Sequence, residues 1–416
     1  MEQKKYSLFN LAVIVGALGY FVDVYDLLLF SIIRVPSLKS LGLSAEDVVK
    51  RGSDILSIQM MGLLLGGILW GVLGDKLGRL RVLFASIILY SLGSIANGFI
   101  HTVEQYEAVR FITGLGLAGE LGAGITLVSE LMSKERRGLA TSLVAGIGLS
   151  GAVFAYFIRV YFVGANGDGW RTCYFIGGGL GFLLLFLRVG VLESGLYKSI
   201  QGSEHVRKGD FFSLFTSRKR LRKYLTAILI ALPNWYVIGI LITFSDKFAA
   251  KMGVKGVVDP GKGIMVAYAA ISVGDIAIGF ISQWLKSRKK SLWLFHIITA
   301  LAVIWYFNLQ GQPASTLYWV CLFLGLGTGF WAMFVTMAAE QFGTNIRATV
   351  ATTVPNMARG SLTLVLLLFN SLQPKLGVDG YFRSGWITGL IVFLIAFVAL
   401  AMTEETYGKD LNYIEQ

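Results

Sequence analysis

Charge is scarce in this chain of 416 residues: only 15% are Asp, Glu, Lys or Arg, against roughly a quarter in a typical soluble domain. A soluble fold of this size would have to hide more apolar surface than one core holds, which excludes that class. Cysteine is scarcer still, and Cys173 and Cys321 each lie inside an apolar run. Two such residues make neither a disulfide framework nor a metal centre. The sequence has no zinc-ligand spacing, nucleic-acid module, nucleophile–base set or phosphate-binding loop. The run Gly114-Leu115-Gly116-Leu117-Ala118-Gly119 matches a dinucleotide fingerprint by letters only, since it follows no strand and sits inside an apolar block. No enzymatic activity, metal, cofactor or nucleic-acid partner is therefore expected. The first apolar run contains Asp23 and Asp26 and ends without a small-residue cleavage pattern, which argues against a cleaved signal peptide.

What the chain does have is apolar length. Hydrophobic residues make up 55%, with 28 Phe and 50 Gly. A membrane-spanning helix needs ~20 mainly apolar residues, and such blocks recur over 8–33, 54–73, 82–101, 104–132, 139–163, 171–192, 223–247, 263–285, 291–309, 316–341, 348–373 and 382–403. The pattern predicts an all-α membrane protein of twelve transmembrane helices. Residues 1–192 form one six-helix bundle, 193–222 a charged cytoplasmic linker and 223–416 a second bundle with a short tail. The lipid bilayer is the first partner implied, and the chain is expected to act as a monomer. The net charge of +12 fits this reading, because its basic residues fall in short runs between blocks, such as Arg136-Arg137 and Arg218-Lys219-Arg220. With both termini in the cytoplasm, Lys and Arg favour the inside loops by about two to one. Short loops and the lack of a targeting sequence fit a bacterial inner membrane.

The two halves echo each other. Glu130 and Arg137 end the fourth block, and Glu340 and Arg347 end the tenth with the same spacing. Gly66 and Gly71 likewise match Gly274 and Gly279. Duplicated halves place a solute site at their interface near the bilayer midplane.

The loop Gly71-Val72-Leu73-Gly74-Asp75-Lys76-Leu77-Gly78-Arg79-Leu80-Arg81 closely resembles the signature loop of the major facilitator superfamily. Its counterpart, Ser282 to Lys290, keeps the basic charge but loses the Asp and the later glycine. Further strings resemble the proton-coupled organic-solute symporters of that superfamily, in the metabolite, sialate/lactate and aromatic-acid branches. These strings are Arg110 to Glu120, Ser129-Glu130 with Arg136-Arg137-Gly138, Trp170-Arg171, Glu193-Ser194, Asn356-Met357-Ala358-Arg359 and Glu405 to Leu411. The resemblance implies two pseudo-symmetric six-helix bundles and alternating access coupled to protons.

Buried charge marks where a mechanism would lie, because an ionisable group at mid-membrane costs at least ~2.5–3.5 kcal/mol unless paired or wet. Asp23 and Asp26, three apart, share one helical face. Asp26 and Arg110 fall at similar depth from the outer ends of their helices, so they can pair, with Asp23 as the competing partner. The resemblance supports reading the pair as a proton switch rather than a packing contact. Glu120 lies on the helix of Arg110, about 80° around its axis, as a second proton carrier or a structural acid. Arg359, near the membrane centre and without an acid close by in sequence, is expected to bind an anionic group, unless Asp275 pairs with it. Asn356, Tyr25, Asn234, Trp235 and Tyr236 complete the candidate substrate-binding set. Asp75, Arg79, Glu130, Arg136, Arg137, Glu340 and Arg347 are expected to hold the inside gate. The function expected is symport of a small organic anion of the carboxylate type. The alternatives are a sugar, osmolyte or phosphate as cargo, and a non-transporting sensor with the same fold.

Overall fold

The computed structural model describes residues 11–77, 79–119, 137–164, 167, 169–193 and 211–409. Within them twelve helical passes follow in order: α1 Leu11–Ser40, α2 Ala45–Leu77, α3 Arg79–Asn97, α4 Val103–Leu117, α5 Arg137–Phe162, α6 Trp170–Glu193, α7 Arg218–Ile242, α8 Pro260–Leu285, α9 Arg288–Tyr306, α10 Ala314–Glu340, α11 Thr344–Leu372 and α12 Gly380–Met402. Eight of these helices are long and apolar enough to cross a membrane. The other four are α3, α4, α9 and α11. α4 ends at Leu117, two residues before the described stretch does, α9 opens on Arg288-Lys289-Lys290, and the first part of α11 is rich in Thr, Asn and Arg.

Hydropathy alone does not reveal three discontinuities. α7 consists of Arg218–Ile230, Leu232–Tyr236 and a π-helical stretch, Val237–Ile242. Pro233 lies at this joint, where it has no N–H to offer an unbroken ladder. α10 breaks at Gly329 and Phe330 into α10a, Ala314–Thr328, and α10b, Trp331–Glu340. α11 is interrupted at Ser361, between Thr344–Gly360 and Leu362–Leu372. Broken helices at membrane depth expose backbone groups, and such breaks are tolerated where protein or a polar cavity meets them.

Packing in the two halves repeats. A Cβ on Gly66 of α2 would lie 2.5 Å from the Leu115 carbonyl of α4, and one on Gly274 of α8 would lie 2.6 Å from the Leu326 carbonyl of α10a. The paired glycines thus let the second and fourth helices of each half meet backbone to backbone. Gly71 and Gly279 do not share this role, since Gly279 has open space around its Cβ position. In α5, Gly151 and Gly148 admit the Phe21 carbonyl and the Tyr20 ring of α1, where a Cβ would come within 2.1 and 2.0 Å.

The halves meet along α2 and α11 and along α5 and α8. Thr363 donates to the Ser57 carbonyl at 3.1 Å, and the Asn370 amide donates to Ser53 Oγ at 2.9 Å. On the face opposite the chain ends, here the distal face, Arg34 of α1 donates to Asp246 at 2.7 Å and to the Thr243 carbonyl at 3.1 Å. The Arg34 guanidinium is buried 4.6 Å from the Phe244 ring centroid. Arg159 of α5 pairs with Asp259, the N-cap of α8, on the same face.

Candidate functional site

α1 carries Asp23 and Asp26 on one face, and both are fully buried. Asp26 meets Arg110 of α4, as the shared depth of the two predicts. Arg110 Nη1 lies 3.8 Å from Asp26 Oδ1, Nη2 donates to the Asp26 carbonyl at 3.0 Å, and Nε donates to Gln59 Oε1 at 3.2 Å. Ser94 Oγ donates to Asp26 Oδ1 at 2.8 Å. Gln59 Nε2 donates to the Leu27 carbonyl at 3.0 Å, so one amide joins α1, α2 and α4. Gln59 and Ser94 escape the sequence reading because neutral polar residues in apolar blocks do not stand out.

Asp23 does not compete for Arg110. It faces the other half of the molecule, where Arg359 Nη2 donates to Asp23 Oδ2 at 3.0 Å with both side chains buried. Arg359 is therefore not a cation without an acid, and its acid is not Asp275. α8 turns Asp275 towards the break in α10, where Oδ1 accepts the Ala332 N–H at 3.1 Å. The Asp23–Arg359 bond engages one nitrogen only. Arg359 Nε and Nη1 and Asp23 Oδ1 have no hydrogen-bond partner among the described residues.

Other polar groups surround this pair. Trp331, the first residue of α10b, places its ring 5.9 Å from Arg359 Cζ, and Trp235 of α7 meets Trp331 edge-on at 6.2 Å. Tyr20 of α1 is within electrostatic reach of Arg359, Asp23 and Asp275, and Tyr268 of α8 is within reach of Arg359 and Asp23. The Asn356 amide donates to the Ala118 carbonyl at 2.7 Å, where α4 ends, and so links the halves again. The indole N–H groups of Trp235 and Trp331, Asn356 Oδ1 and Asp275 Oδ2 also have no partner among the described residues. Leaving a buried polar atom unbonded costs about 1–3 kcal/mol, so a cluster of them suits a polar ligand. Its indole and guanidinium N–H groups are donors, suited to a ligand that carries hydrogen-bond acceptors. Trp331 is missed in the sequence because nothing local marks the helix break that points it inward.

Two candidates turn away. The Tyr25 hydroxyl donates to the Cys173 carbonyl at 2.8 Å, and the Tyr236 hydroxyl donates to the Gly385 carbonyl at 2.8 Å. Each hydroxyl is spent within its own half. Asn234 is buried beside Trp235.

Among the gating candidates, Glu340 bonds Arg288 at 3.4 Å and accepts from Thr406 Oγ1 at 2.7 Å. Both partners belong to its own half, so this part of the expected network ties α10b to α9 rather than one half to the other. Arg347 Nε donates to the Phe342 carbonyl at 3.1 Å, again within the half. Thr406 follows Glu405, whose carboxylate accepts from Ser287 Oγ and from the backbone N–H groups of Arg288, Lys289, Thr406 and Tyr407. Partial burial pushes the Glu405 carboxyl up, but these hydrogen bonds outweigh it and hold the group below the usual carboxylate range. Glu120, Glu130 and Arg136 lie outside the described residues, as do the side chains of Asp75, Arg79 and Arg137.

Comparison with known proteins gives the family and the fold. The family model described as Major Facilitator Superfamily matches residues 12–363. A niacin transporter of Acinetobacter baylyi is 26% identical over 443 residues, covering 98% of this chain and 96% of the relative. A gentisate transporter of Corynebacterium glutamicum is 24% identical over 408 residues, covering 95% and 88%. In fold, the chain resembles the crystal structure of a D-xylose–proton symporter with a TM-score of 0.69 at 15% identity, covering 97% of this chain and 100% of that one.

Proposed function

Since the chain belongs to the major facilitator superfamily, and is thus a multi-pass secondary transporter and not an enzyme, we propose that it carries a small organic carboxylate across the membrane together with protons. The observation that carries this reading is the one-sided bond between Arg359 and Asp23, which leaves two nitrogens of a buried guanidinium free. A substrate carboxylate can bridge one of those nitrogens and the second N–H of Nη2, which share an edge of the guanidinium, in the bidentate manner that arginine favours. The single positive charge of Arg359 then faces two carboxylates, and one negative charge is left uncompensated. A buried charge without a partner costs several kcal/mol, and a proton on Asp23 removes that charge. Anion and proton therefore enter favourably together. The niacin and gentisate named for the two relatives each join a carboxylate to a flat ring, and the Trp331 and Trp235 indoles supply aromatic walls for one.

The Asp26–Arg110 pair supplies a second switch within the first half. A proton on Asp26 weakens its hold on Arg110 and frees α4 to move relative to α1. Residues 1–192 and 223–416 act as the two rocking units of a single chain, joined by 193–222, with both termini in the cytoplasm of a bacterial inner membrane. Proton-gradient-driven uptake of nicotinate, gentisate and xylose into proteoliposomes tests the reading. The acids should accumulate and the sugar should not. Asp26→Asn should abolish accumulation yet spare acid-for-acid exchange. Equal uptake of xylose would overturn the carboxylate assignment, and unchanged uphill uptake by Asp26→Asn would remove Asp26 from coupling.

A further inference from the structure

Asp275 is buried on α8, and among the described residues no Lys or Arg is bonded to it. It reaches instead the first turn of α10b, where Oδ1 accepts the backbone N–H of Ala332, the second residue of that helix. That N–H is one of those left without an intrahelical partner when α10 breaks at Gly329 and Phe330. The break is tightly seated, since a Cβ on Gly274 would lie 2.9 Å from Gly329 Cα and one on Gly329 would lie 2.8 Å from the Ile271 carbonyl. α8 thus holds the broken helix from both sides, with its backbone against Gly329 and its Asp275 side chain on the first turn of α10b. A carboxylate is suited to that place, because it accepts the free N–H and complements the positive end of the helix. The residue this turn aims is Trp331, whose ring faces Arg359 and Trp235.

We propose that Asp275 is a positioning residue for substrate recognition: by capping α10b it holds the Trp331 indole beside Arg359, where the ring of an aromatic carboxylate would lie. The role rests on Arg359 as the carboxylate anchor. It predicts that Asp275→Ala raises KM for nicotinate at least about tenfold with little change in maximal rate. Asp275→Asn, which keeps an acceptor oxygen, restores KM. Ala332→Pro, at the second position of α10b, removes the donor from the other side of the same bond and should reproduce the KM rise. Trp331 emission, isolated by difference from Trp331→Phe in the full chain, reads the cap without any substrate. It should shift in Asp275→Ala and Ala332→Pro and return in Asp275→Asn. An unshifted emission in both cap-breaking variants, or an Asn variant no better than Ala, overturns the proposal. A chain that binds none of the organic acids overturns the reading of Arg359 instead, while the emission still decides whether Asp275 sets the indole.

Discussion

Asp23 and Arg359 stand 336 residues apart and bond at 3.0 Å across the two halves of the molecule, each buried. The bond uses one guanidinium nitrogen and one carboxylate oxygen, and the remaining polar atoms of both side chains have no partner among the described residues. A pair of this kind holds the halves together and still offers a second anion a guanidinium edge, made of one unbonded nitrogen and the second N–H of Nη2.

Arg359→Lys separates those two uses. Lysine keeps the charge and can still meet Asp23, but it presents no planar fork to a carboxylate. Loss of about one charge-assisted hydrogen bond, ~1.5–3 kcal/mol, should raise KM for nicotinate by about 10- to 100-fold. Initial rates of uptake over a concentration series measure it. Unchanged affinity in the lysine variant would exclude Arg359 as the carboxylate anchor.

That an acid of α1 meets Arg110 is legible in the sequence, because spacing along each helix fixes the depths and antiparallel helices of one half bring equal depths together, but Asp23 stays open as the rival of Asp26. The partner of Arg359 is not legible. It lies in the other half, and docking between halves leaves no trace in periodicity within either. Helix breaks are hidden for a different reason. Thr328-Gly329-Phe330-Trp331 and Pro233-Asn234-Trp235 are short and flanked by long apolar runs, so a hydropathy window passes over the breaks and nothing singles out Trp331. The doubled glycines are readable as a repeat, yet only the contacts show that Gly66 and Gly274 do the same work and that Gly279 does not.

Two ion pairs join the halves on the distal face, Arg34–Asp246 and Arg159–Asp259. Arg34 has Asp246 as its acid, and two backbone carbonyls, of Thr243 and Val48, complete its bonds. Removing Asp246 alone leaves the guanidinium buried without its counter-charge, which is costlier than removing both members. Asp246→Ala should therefore open the distal face, and Arg34→Ala with Asp246→Ala should be the more stable of the two variants. Labelling of Ser57→Cys by a membrane-impermeant maleimide reads the opening, in a background where Cys173 and Cys321 are alanine. Labelling should be several-fold faster with Asp246→Ala than without it. Equal rates would mean that Arg159–Asp259 and the α2–α11 contacts suffice to close that face.

Glu405 fixes the segment after α12 to the N-terminus of α9, and Thr406 passes the connection on to Glu340 on α10b. The carboxylate accepts from Ser287 and four backbone N–H groups, so it is the ionised form that this arrangement favours. Because the folded-state value lies below the ordinary 4.5, the ionised strap contributes stability in full above about pH 4.5. That contribution fades as pH falls through the depressed folded value, where the folded state too takes up the proton. Glu405→Gln should melt about 1–3 °C below the parent at pH 7, in keeping with the loss of one helix cap in a chain of this size. The gap should narrow below about pH 4.5 and close at lower pH. Thermal melts of both proteins in detergent from pH 7 to pH 3 measure it. A gap that stayed constant over that range would mean that the shape of the Glu405 side chain, and not its charge, holds the segment in place.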